Sequence, residues 1–209
     1  GLAKELGYVY VDTGSMYRAI TLFFLQNNII KNTPINENEL LVKLDSISIT
    51  FRINPETGFN EVMLNGQVVE KEIRGMEVSS MVSPVSKIKA VREKLVSIQR
   101  EIGEEKNVVM DGRDIGTVVF PDARLKIFMS ARPEVRAKRR FDELTAKGEK
   151  VEYDEILQNI LERDFQDENR SESPLKKADD AILLDNSDMT RDEQLAWLID
   201  KCKSTCMSK

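Results

Sequence analysis

The sequence predicts an α/β protein in which helices cover a mostly parallel sheet and a small antiparallel sheet forms an insertion. Short apolar runs typical of buried strands alternate with longer segments whose apolar residues recur at helical spacing. Residues 45–70 depart from this pattern, because apolar and polar residues alternate there around an Asn-Gly pair. The 209 residues, 41% of them apolar, suffice for one compact domain with such an insertion.

The chain opens with a helix end, a strand and a second helix. Residues 2–6 are predicted as the end of a helix that Gly7 stops, and residues 8–11 form a β-branched and aromatic run typical of a strand. Apolar residues then recur at helical spacing, which predicts a helix over residues 15–27. We expect a turn at Thr13-Gly14 between this strand and this helix.

The predicted insertion spans residues 31–84 and divides the core domain into residues 1–30 and 85–209. Within it, apolar and polar residues alternate over residues 47–51, and Asn65-Gly66 lies between two short apolar runs. Asn-Gly in this setting favours a tight β-hairpin. We therefore expect a small antiparallel sheet that is separate from the parallel sheet of the core.

The second half of the chain continues the alternation of strands and helices. After Pro84, apolar residues step by three and four as far as Ile102, which predicts a helix closed by Gly103. The apolar runs of residues 107–110 and 125–129 predict central strands. The remaining predicted elements are helices over residues 133–146 and 153–169, a strand over residues 181–185 and a terminal helix begun by the capping box Thr190-x-x-Glu193.

Composition excludes several classes of function. A net charge of −5 argues against a general nucleic-acid-binding protein, which normally carries a basic surplus. The chain has no histidine, so imidazole bases and histidine-ligated zinc are excluded. Its two cysteines, Cys202 and Cys206, form neither a disulfide framework nor a complete metal site, and they suit a reducing compartment. No apolar run reaches the roughly 20 residues that span a bilayer, so we expect a cytoplasmic protein without a membrane segment.

Polar residues cluster just after the predicted strands, where ligands of open parallel sheets bind. The stretch D-T-G-S-M-Y-R follows the first strand at residues 12–18, and D-G-R-D-I-G follows a later strand at residues 111–116. A third polar stretch, residues 163–170, lies on a late predicted helix. These three stretches are the candidate site.

Two of the stretches carry a resemblance to a known family. Residues 12–18, together with D-G-R-D-I-G-T-V-V-F-P-D-A at residues 111–123, are similar to the signature stretches of bacterial cytidylate kinases, and the similarity covers nearly the whole chain. The resemblance implies a P-loop kinase-like parallel sheet flanked by helices, an NMP-binding insertion, and a helical lid at residues 132–172. It also implies an enzyme of pyrimidine metabolism that transfers a phosphoryl group from ATP to CMP and dCMP, giving CDP and ADP.

The resemblance assigns site residues by position. In the family the CMP phosphate is held by arginines that match Arg18, Arg113 and Arg170, and Asp111 completes the catalytic set. The base is recognised by residues that match Ser83, Arg92 and Asp114, the ribose by residues that match Arg163 and Asp167, and Thr13 also belongs to the substrate-binding set.

The residue types suit these roles chemically. Guanidinium groups suit a phosphate dianion because they donate hydrogen bonds in pairs. The Asp114 carboxylate would accept from the amine of cytosine but would meet a carbonyl oxygen in uracil. We therefore expect CMP to be preferred to UMP.

Simpler explanations apply to several of these residues when the resemblance is set aside. Arg163 and Asp167 could form a surface ion pair at i,i+4. Arg92, on the charged face of a helix, would usually be solvated.

Asp12 and Asp111 also have two interpretations. They could cap the turns that follow them, or they could hold, through water, the Mg²⁺ that is bound with ATP. A general base is not required, because the CMP phosphate is already an anionic nucleophile. That chemistry agrees with a chain that lacks histidine.

A basic stripe of four arginines begins the helix predicted over residues 133–146, in the predicted lid region: Arg132, Arg136, Arg139 and Arg140. Its functional interpretation is contact of Arg132, Arg136 and Arg139 with the ATP phosphates when the lid closes. The alternative is a solvated face. Its charge would then be balanced by the nearby acids Glu134, Asp142 and Glu143.

The 209 residues contain no loop of the form G-x-x-x-x-G-K-S/T, which cradles the donor phosphates in this family. Either the protein carries this loop upstream of Gly1, or the chain begins there and has lost ATP binding. We expect the first, because loss of a central strand would open an edge through the sheet. The 209 residues by themselves are then expected to keep most of the CMP site and to be inactive with ATP.

Two other functions stay open at this point. One is a nucleoside monophosphate kinase that prefers UMP, and the other is a non-catalytic nucleotide-binding protein. For the favoured function we expect a monomer whose partners are CMP or dCMP and ATP, with neither nucleic acid nor membrane among them.

Overall fold

The computed structural model describes residues 1–30, 37–104 and 107–206, and within these ranges the side chains of all but residues 37–39. The start of the predicted insertion, residues 31–36, lies outside the described residues. Among the described residues, no helix has both the length and the apolar character needed to cross a bilayer.

The chain forms two compact units. The N-terminal unit comprises residues 3–112, and the C-terminal unit comprises residues 113–209 together with residues 1–2. The boundaries expected for the insertion and the lid stay predictions.

The N-terminal unit contains a parallel pair of strands, an antiparallel sheet and several helices. In chain order its elements are α1 (Leu2–Leu6), β1 (Val9–Asp12), α2 (Thr13–Gln26), α3 (Glu37–Leu44), β2 (Ile49–Ile53), β3 (Asn60–Leu64), β4 (Gln67–Val68), a 3₁₀ turn (Glu72–Arg74), α4 (Met76–Ser86), α5 (Lys89–Glu104) and β5 (Val108–Asp111). β1 and β5 pair in parallel, so Asp12 and Asp111 are register partners at the ends of the two strands.

Helix α2 begins directly after β1 because Asp12 caps it. The Asp12 carboxylate accepts from the backbone N–H of Ser15 at 3.2 Å, and the Ser15 hydroxyl donates to the Asp12 carbonyl at 2.7 Å. The turn predicted at Thr13-Gly14 is therefore wrong, since both residues lie in the first turn of the helix. Met16 and Phe24, both fully buried, carry the apolar face of α2 into the core of the unit.

The antiparallel sheet predicted within the insertion is confirmed. β2 pairs with β3, and β3 pairs with β4. Asn65 and Gly66 connect β3 to β4 with φ angles of 49° and 80°, a left-handed conformation that Asn and Gly adopt readily. The Asn60 side-chain amide donates to the Tyr10 carbonyl at 2.7 Å, which joins β3 to β1.

Several elements were not predicted from apolar spacing. These are α3, the 3₁₀ turn and α4, and α4 contains Pro84. Because Pro84 lies in the last turn of α4, only the end of the helix must adapt to its missing N–H. The prediction that Gly103 closes the following helix is wrong by one residue, since α5 runs through Gly103 to Glu104.

The C-terminal unit contains a second parallel pair of strands and three long helices within its described part. Its elements are a π-helical turn (Ile115–Val119), β6 (Ile127–Ser130), α6 (Pro133–Ala146), α7 (Tyr153–Asn169), β7 (Ile182–Asp185) and α8 (Arg191–Cys206). β6 and β7 pair in parallel. The bounds of α6 and α7 coincide with the predicted ones, and Pro133 stands at the start of α6, where its missing N–H has no helical partner to lose.

The predicted α/β class is confirmed. β1 bonds to β5 in the N-terminal unit and β6 bonds to β7 in the C-terminal unit, both in parallel, and the small antiparallel sheet lies in the N-terminal unit. A short apolar run identifies a strand without identifying its hydrogen-bonding neighbours, so these pairings could not be predicted from the sequence.

The capping box predicted for the terminal helix is present at the start of α8. The Glu193 carboxylate accepts from the Thr190 backbone N–H at 2.8 Å, and the Thr190 hydroxyl accepts from the Glu193 backbone N–H at 3.2 Å. These bonds satisfy two backbone donors that the helix itself leaves without partners.

Replacing Thr190 with alanine should lower the melting temperature by about 2–4 °C, because loss of an N-cap costs about 1 kcal/mol. Thermal denaturation followed by circular dichroism measures the change. Thr190→Ser keeps the hydroxyl and should stay within about 1 °C of the parent protein. Equal melting temperatures for the alanine and serine variants would contradict the stabilising role of this cap.

Candidate active site

Two carboxylates lie side by side where β1 and β5 end. Asp12 and Asp111 are register partners, and the Thr13 hydroxyl donates to the Asp111 carbonyl at 2.7 Å. The Tyr10 hydroxyl donates to the Asp111 carboxylate at 3.4 Å. Partial burial raises the pKa of Tyr10 well above its usual range, and the Asp111 and Asp12 carboxylates raise it further. This strand end is therefore a site of concentrated negative charge.

Arg74 also contacts this strand end, although the sequence analysis did not identify it. Its guanidinium donates to the Glu70 carboxylate at 2.7 Å and to the Asp12 carboxylate at 3.3 Å. Arg74 and Asp12 are 62 positions apart in the chain, so no local pattern links them. The bridge ties the 3₁₀ turn of the predicted insertion to the end of β1.

The paired carboxylates fit a hydrated magnesium ion. Mg²⁺ usually binds through one or two carboxylates and keeps several of its waters, with substrate phosphates as further ligands. Asp12 and Asp111 are register partners at the strand ends, and the Asp12 carboxylate already accepts from the Ser15 N–H and from Arg74. These residues therefore suit a magnesium ion held through its waters. Within the described ranges, no group of three or more acidic, histidine or cysteine side chains could hold a metal ion by itself.

Arg18 projects from α2 toward the 3₁₀ turn and α4. Its Nη1 donates to the Ile73 carbonyl at 3.1 Å and to the Ser79 hydroxyl at 2.9 Å. Two acceptors on one nitrogen fix the plane of the guanidinium group. Ser79 was not identified from the sequence, because it is one of several serines in α4 and α4 itself was not predicted.

Arg92 is buried, which contradicts the interpretation of a solvated helix face. The residue is 5% exposed, and its Nη1 donates to the Ser86 carbonyl at 3.3 Å. The guanidinium carbon lies 5.7 Å from the centre of the Tyr17 ring, within cation–π range. Ser83 lies on α4, one turn before Ser86, whose hydroxyl donates to the Ser83 carbonyl.

In the C-terminal unit, Asp114 precedes the π-helical turn and is 6% exposed. Its carbonyl accepts from the backbone N–H groups of Val118 at 2.9 Å and of Thr117 and Val119 at 3.3 Å. Single π-helical turns of this kind occur frequently at functional sites. The backbone around Asp114 is thus closed into a tight turn.

Asp167 on α7 lies between two of the predicted phosphate-binding arginines. Arg113 Nε donates to Asp167 Oδ2 at 2.9 Å, and Arg170 Nη1 lies 3.8 Å from Asp167 Oδ1. The Arg170 side chain is 5% exposed, and its Nε donates to the Ser173 carbonyl at 2.8 Å. The structure thus brings Arg113, Asp167 and Arg170 together.

The surface ion pair considered for Arg163 and Asp167 is wrong. Asp167 pairs with Arg113 and Arg170, and the Arg163 residue is exposed to solvent. The helical spacing of Arg163 and Asp167 placed both on α7 correctly, but the carboxylate turns to a partner 54 positions away.

The three arginines predicted to contact ATP from the lid, Arg132, Arg136 and Arg139, each have a partner outside α6. Arg132 forms a two-bond pair with Asp188, and Arg136 forms one with Asp164 at 2.9 and 2.5 Å. Arg139 donates to the side-chain and backbone oxygens of Asn186 at 3.0 and 2.7 Å. Asp188 and Asp164 are the main groups that raise the pKa of Arg132 and Arg136, and the charge of Glu134 adds to both effects. Arg140, the fourth arginine of the stripe, pairs with Glu143 at 3.0 Å. The acids considered for charge balance therefore contribute to it in part.

Comparisons with known proteins agree on one family. The family model described as "Cytidylate kinase" matches residues 1–204. A protein named cytidylate kinase from Parabacteroides distasonis is 57% identical over 200 residues, which cover 96% of this chain and 87% of the relative. A protein of the same name from Bacteroides fragilis is 56% identical, and the match covers 95% of this chain and 86% of that relative. Another from Porphyromonas gingivalis is 50% identical, and the match covers 96% of this chain and 87% of that relative.

Proposed function

Since the chain belongs to the cytidylate kinase family, we propose individual roles for its site residues in a reaction that transfers a phosphoryl group from ATP to CMP, giving CDP and ADP. The protein is a kinase, and one observation carries that conclusion: the family match extends from residue 1 to residue 204. The finer assignments below rest on the resemblance together with the local geometry.

Arg18, Arg113 and Arg170 bind the phosphate of CMP in this proposal. Arg113 and Arg170 are supported by their shared neighbour Asp167, which holds both guanidinium groups beside α7. Arg18 is supported by its fixed orientation on Ile73 and Ser79. Guanidinium groups held in place lose little freedom when a phosphate binds, so more of the interaction contributes to affinity.

Asp114, Arg92 and Ser83 recognise the cytosine base. The low exposure of Asp114 and Arg92 supports this role, because a buried carboxylate or guanidinium discriminates strongly between a donor and an acceptor on the ligand. The amine of cytosine donates to Asp114, and the ring nitrogen and carbonyl accept from Arg92 and Ser83. Arg163 and Asp167 bind the ribose. We also propose that the enzyme accepts dCMP as well as CMP.

Asp12 and Asp111 would hold, through water, the magnesium ion that is bound with ATP, and Thr13 positions Asp111 through its bond to the Asp111 carbonyl. Magnesium supplies neutralisation of the charge on the donor phosphates. The acceptor needs no general base, because a phosphate oxygen of CMP is already anionic. The Asp12 and Asp111 carboxylates therefore need only to position the magnesium ion and its waters. They do not need to remove a proton from the acceptor.

Arg132, Arg136 and Arg139 contact the ATP phosphates when the lid closes, after leaving their present partners. The 209 residues contain no G-x-x-x-x-G-K-S/T loop, so the assignments for these residues cover the acceptor nucleotide and the lid. We also propose a cytoplasmic monomer that binds neither nucleic acid nor membrane, on the basis of the net charge of −5 and the two free cysteines.

The test is a coupled assay of ADP formation by the full-length enzyme with ATP, Mg²⁺ and either CMP or UMP. We expect kcat/KM for CMP to exceed that for UMP by at least about tenfold, because uracil leaves the Asp114 carboxylate facing a second acceptor. Equal values would favour a kinase without cytosine selectivity. Calorimetric binding of CMP without ADP formation would favour a non-catalytic nucleotide-binding protein.

A further inference from the structure

Lys126 is a nearly buried lysine that none of the assignments above uses. Its side chain is 8% exposed, and its Nζ donates to the Asp180 carboxylate at 2.6 Å and to the Pro121 carbonyl. Lysine is almost never buried to this degree unless its charge is paired. The paired ammonium group and the buried stem indicate that Lys126 stabilises the structure around it.

The stem of Lys126 lies against the backbone of the turn that follows Asp114. A Cβ atom added to Gly116 would lie 3.1 Å from Lys126 Cδ and 3.4 Å from Lys126 Cγ, and the shorter of these distances is closer than most Cβ contacts in proteins. Gly116 is the second residue of the π-helical turn, whose first backbone acceptor is the Asp114 carbonyl. The absence of a side chain at Gly116 therefore lets Lys126 support this turn directly.

Lys126 lies next to the π-helical turn at two points and is itself bonded to the β6–β7 pair. Its stem lies beside Gly116, where an added Cβ would meet it, and its Nζ donates to the Pro121 carbonyl just beyond the end of the turn. Its own carbonyl accepts from the Ile182 N–H at 2.9 Å, which anchors Lys126 to the first residue of β7. Asp180, the other partner of Nζ, lies two residues before the start of β7. The turn is thus attached to the β6–β7 pair through one side chain.

We infer that Lys126 is a positioning residue for nucleotide selection, which holds the turn at Gly116 and thereby fixes the Asp114 carboxylate. This inference rests on the proposed role of Asp114 in reading the cytosine amine. A carboxylate distinguishes an amine from a carbonyl only while its oxygens stay within about 0.5 Å of the required position. Lys126 itself does not contact the nucleotide, because its ammonium group already binds Asp180 and Pro121.

The first test is Lys126→Met in the full-length enzyme, measured as the ratio of kcat/KM for CMP to kcat/KM for UMP. Methionine keeps an apolar stem but removes the bonds of Nζ. We expect the ratio to fall about 3- to 10-fold, since a small displacement of a reading group is enough to weaken selection. We expect kcat at saturating CMP to stay within about twofold, because the phosphate-binding groups are unchanged.

Lys177→Met is the matched control. Lys177 Nζ donates to the carbonyls of Ala178 at 3.2 Å and Ala181 at 2.7 Å, so it supports the approach to β7 by the same kind of bond. We expect the melting temperature to fall in both variants and the CMP/UMP ratio to fall only in Lys126→Met. Equal losses of the ratio in both would overturn the inference, because general destabilisation would then explain them.

Gly116→Ala tests the same contact from the other side and does not depend on the stability of Lys126→Met. Gly116 does not adopt a positive φ, so alanine adds crowding against Lys126 without backbone strain. We expect the ratio to fall in the same direction as in Lys126→Met. An unchanged ratio in Gly116→Ala, or in a folded Lys126→Met, would overturn the inference.

Asp114→Asn, assayed in parallel, separates this inference from the proposed function. If Asp114→Asn changes the CMP/UMP ratio while Lys126→Met and Gly116→Ala do not, the role of Asp114 stands and the inference about Lys126 fails. If Asp114→Asn leaves the ratio unchanged, the proposed base recognition fails and the inference fails with it.

Discussion

Replacing Arg18 with methionine should lower kcat/KM for CMP by about 10²- to 10³-fold, the loss typical of removing one donor to a reacting phosphate or oxyanion. Arg18 is oriented before the ligand binds, because its Nη1 donates to Ile73 at 3.1 Å and to Ser79 at 2.9 Å. Methionine has a similar apolar stem but offers no donors. Steady-state kinetics of the full-length enzyme, with CMP varied at saturating ATP and Mg²⁺, measures the loss.

Arg52→Met is the matched control for Arg18→Met. Arg52 lies on β2 in the same unit and pairs with Glu61 on β3 at 3.0 Å, so the substitution removes the same charge from an exposed pair. We expect its kcat/KM to stay within about twofold of the parent value. If both variants lose activity equally, the phosphate-binding role of Arg18 is contradicted and net charge or stability explains the result.

Asp114→Asn should reverse the selectivity of the enzyme and not merely weaken it. Asparagine has nearly the same shape as aspartate but carries two N–H donors, which can bond the uracil carbonyl that the carboxylate repels. Asp114 is 6% exposed, so a mismatch there leaves polar groups unpaired at a cost of about 1–3 kcal/mol. We expect kcat/KM for CMP to fall about 5- to 150-fold and kcat/KM for UMP to rise.

The measurement for Asp114→Asn is the ratio of kcat/KM for the two nucleotides, with the melting temperature as the check on folding. An equal loss for CMP and UMP in a folded protein would mean that Asp114 supports the site without reading the base. A gain for UMP would be difficult to explain by any purely structural role.

The helices of the C-terminal unit were predictable because their signals are local. α6 and α7 have the predicted bounds, with Pro133 at the first helical position and the helical recurrence of apolar residues behind it. α4 was missed, since Pro84 lies within it and proline predicts a boundary. The pairing of β1 with β5 was also missed, because all the other described elements of the N-terminal unit except α1 lie between these strands and no local pattern joins them.

The candidate site shows the same division between local and distant information. The residue types after the strands could be identified from the sequence, since they follow short apolar runs directly. Their partners could not: Arg136 bonds Asp164 across 28 positions, and Arg113 bonds Asp167 across 54. Lys126 was missed for the same reason, because its burial depends on contacts with Gly116 and Asp180 that only the folded chain forms.

The pairing of arginines with carboxylates has a consequence for how a nucleotide reaches the protein. Arg113 lies beside Asp167 and Arg136 beside Asp164, so each guanidinium carries its own counter-ion. Little positive potential then extends past a Debye length of about 8 Å at physiological ionic strength. On a chain of net charge −5, a negatively charged nucleotide meets no long-range attraction during diffusional encounter. In the proposed phosphate-binding role, we therefore expect binding to begin at contact distance, when phosphate oxygens displace carboxylate oxygens at the guanidinium groups.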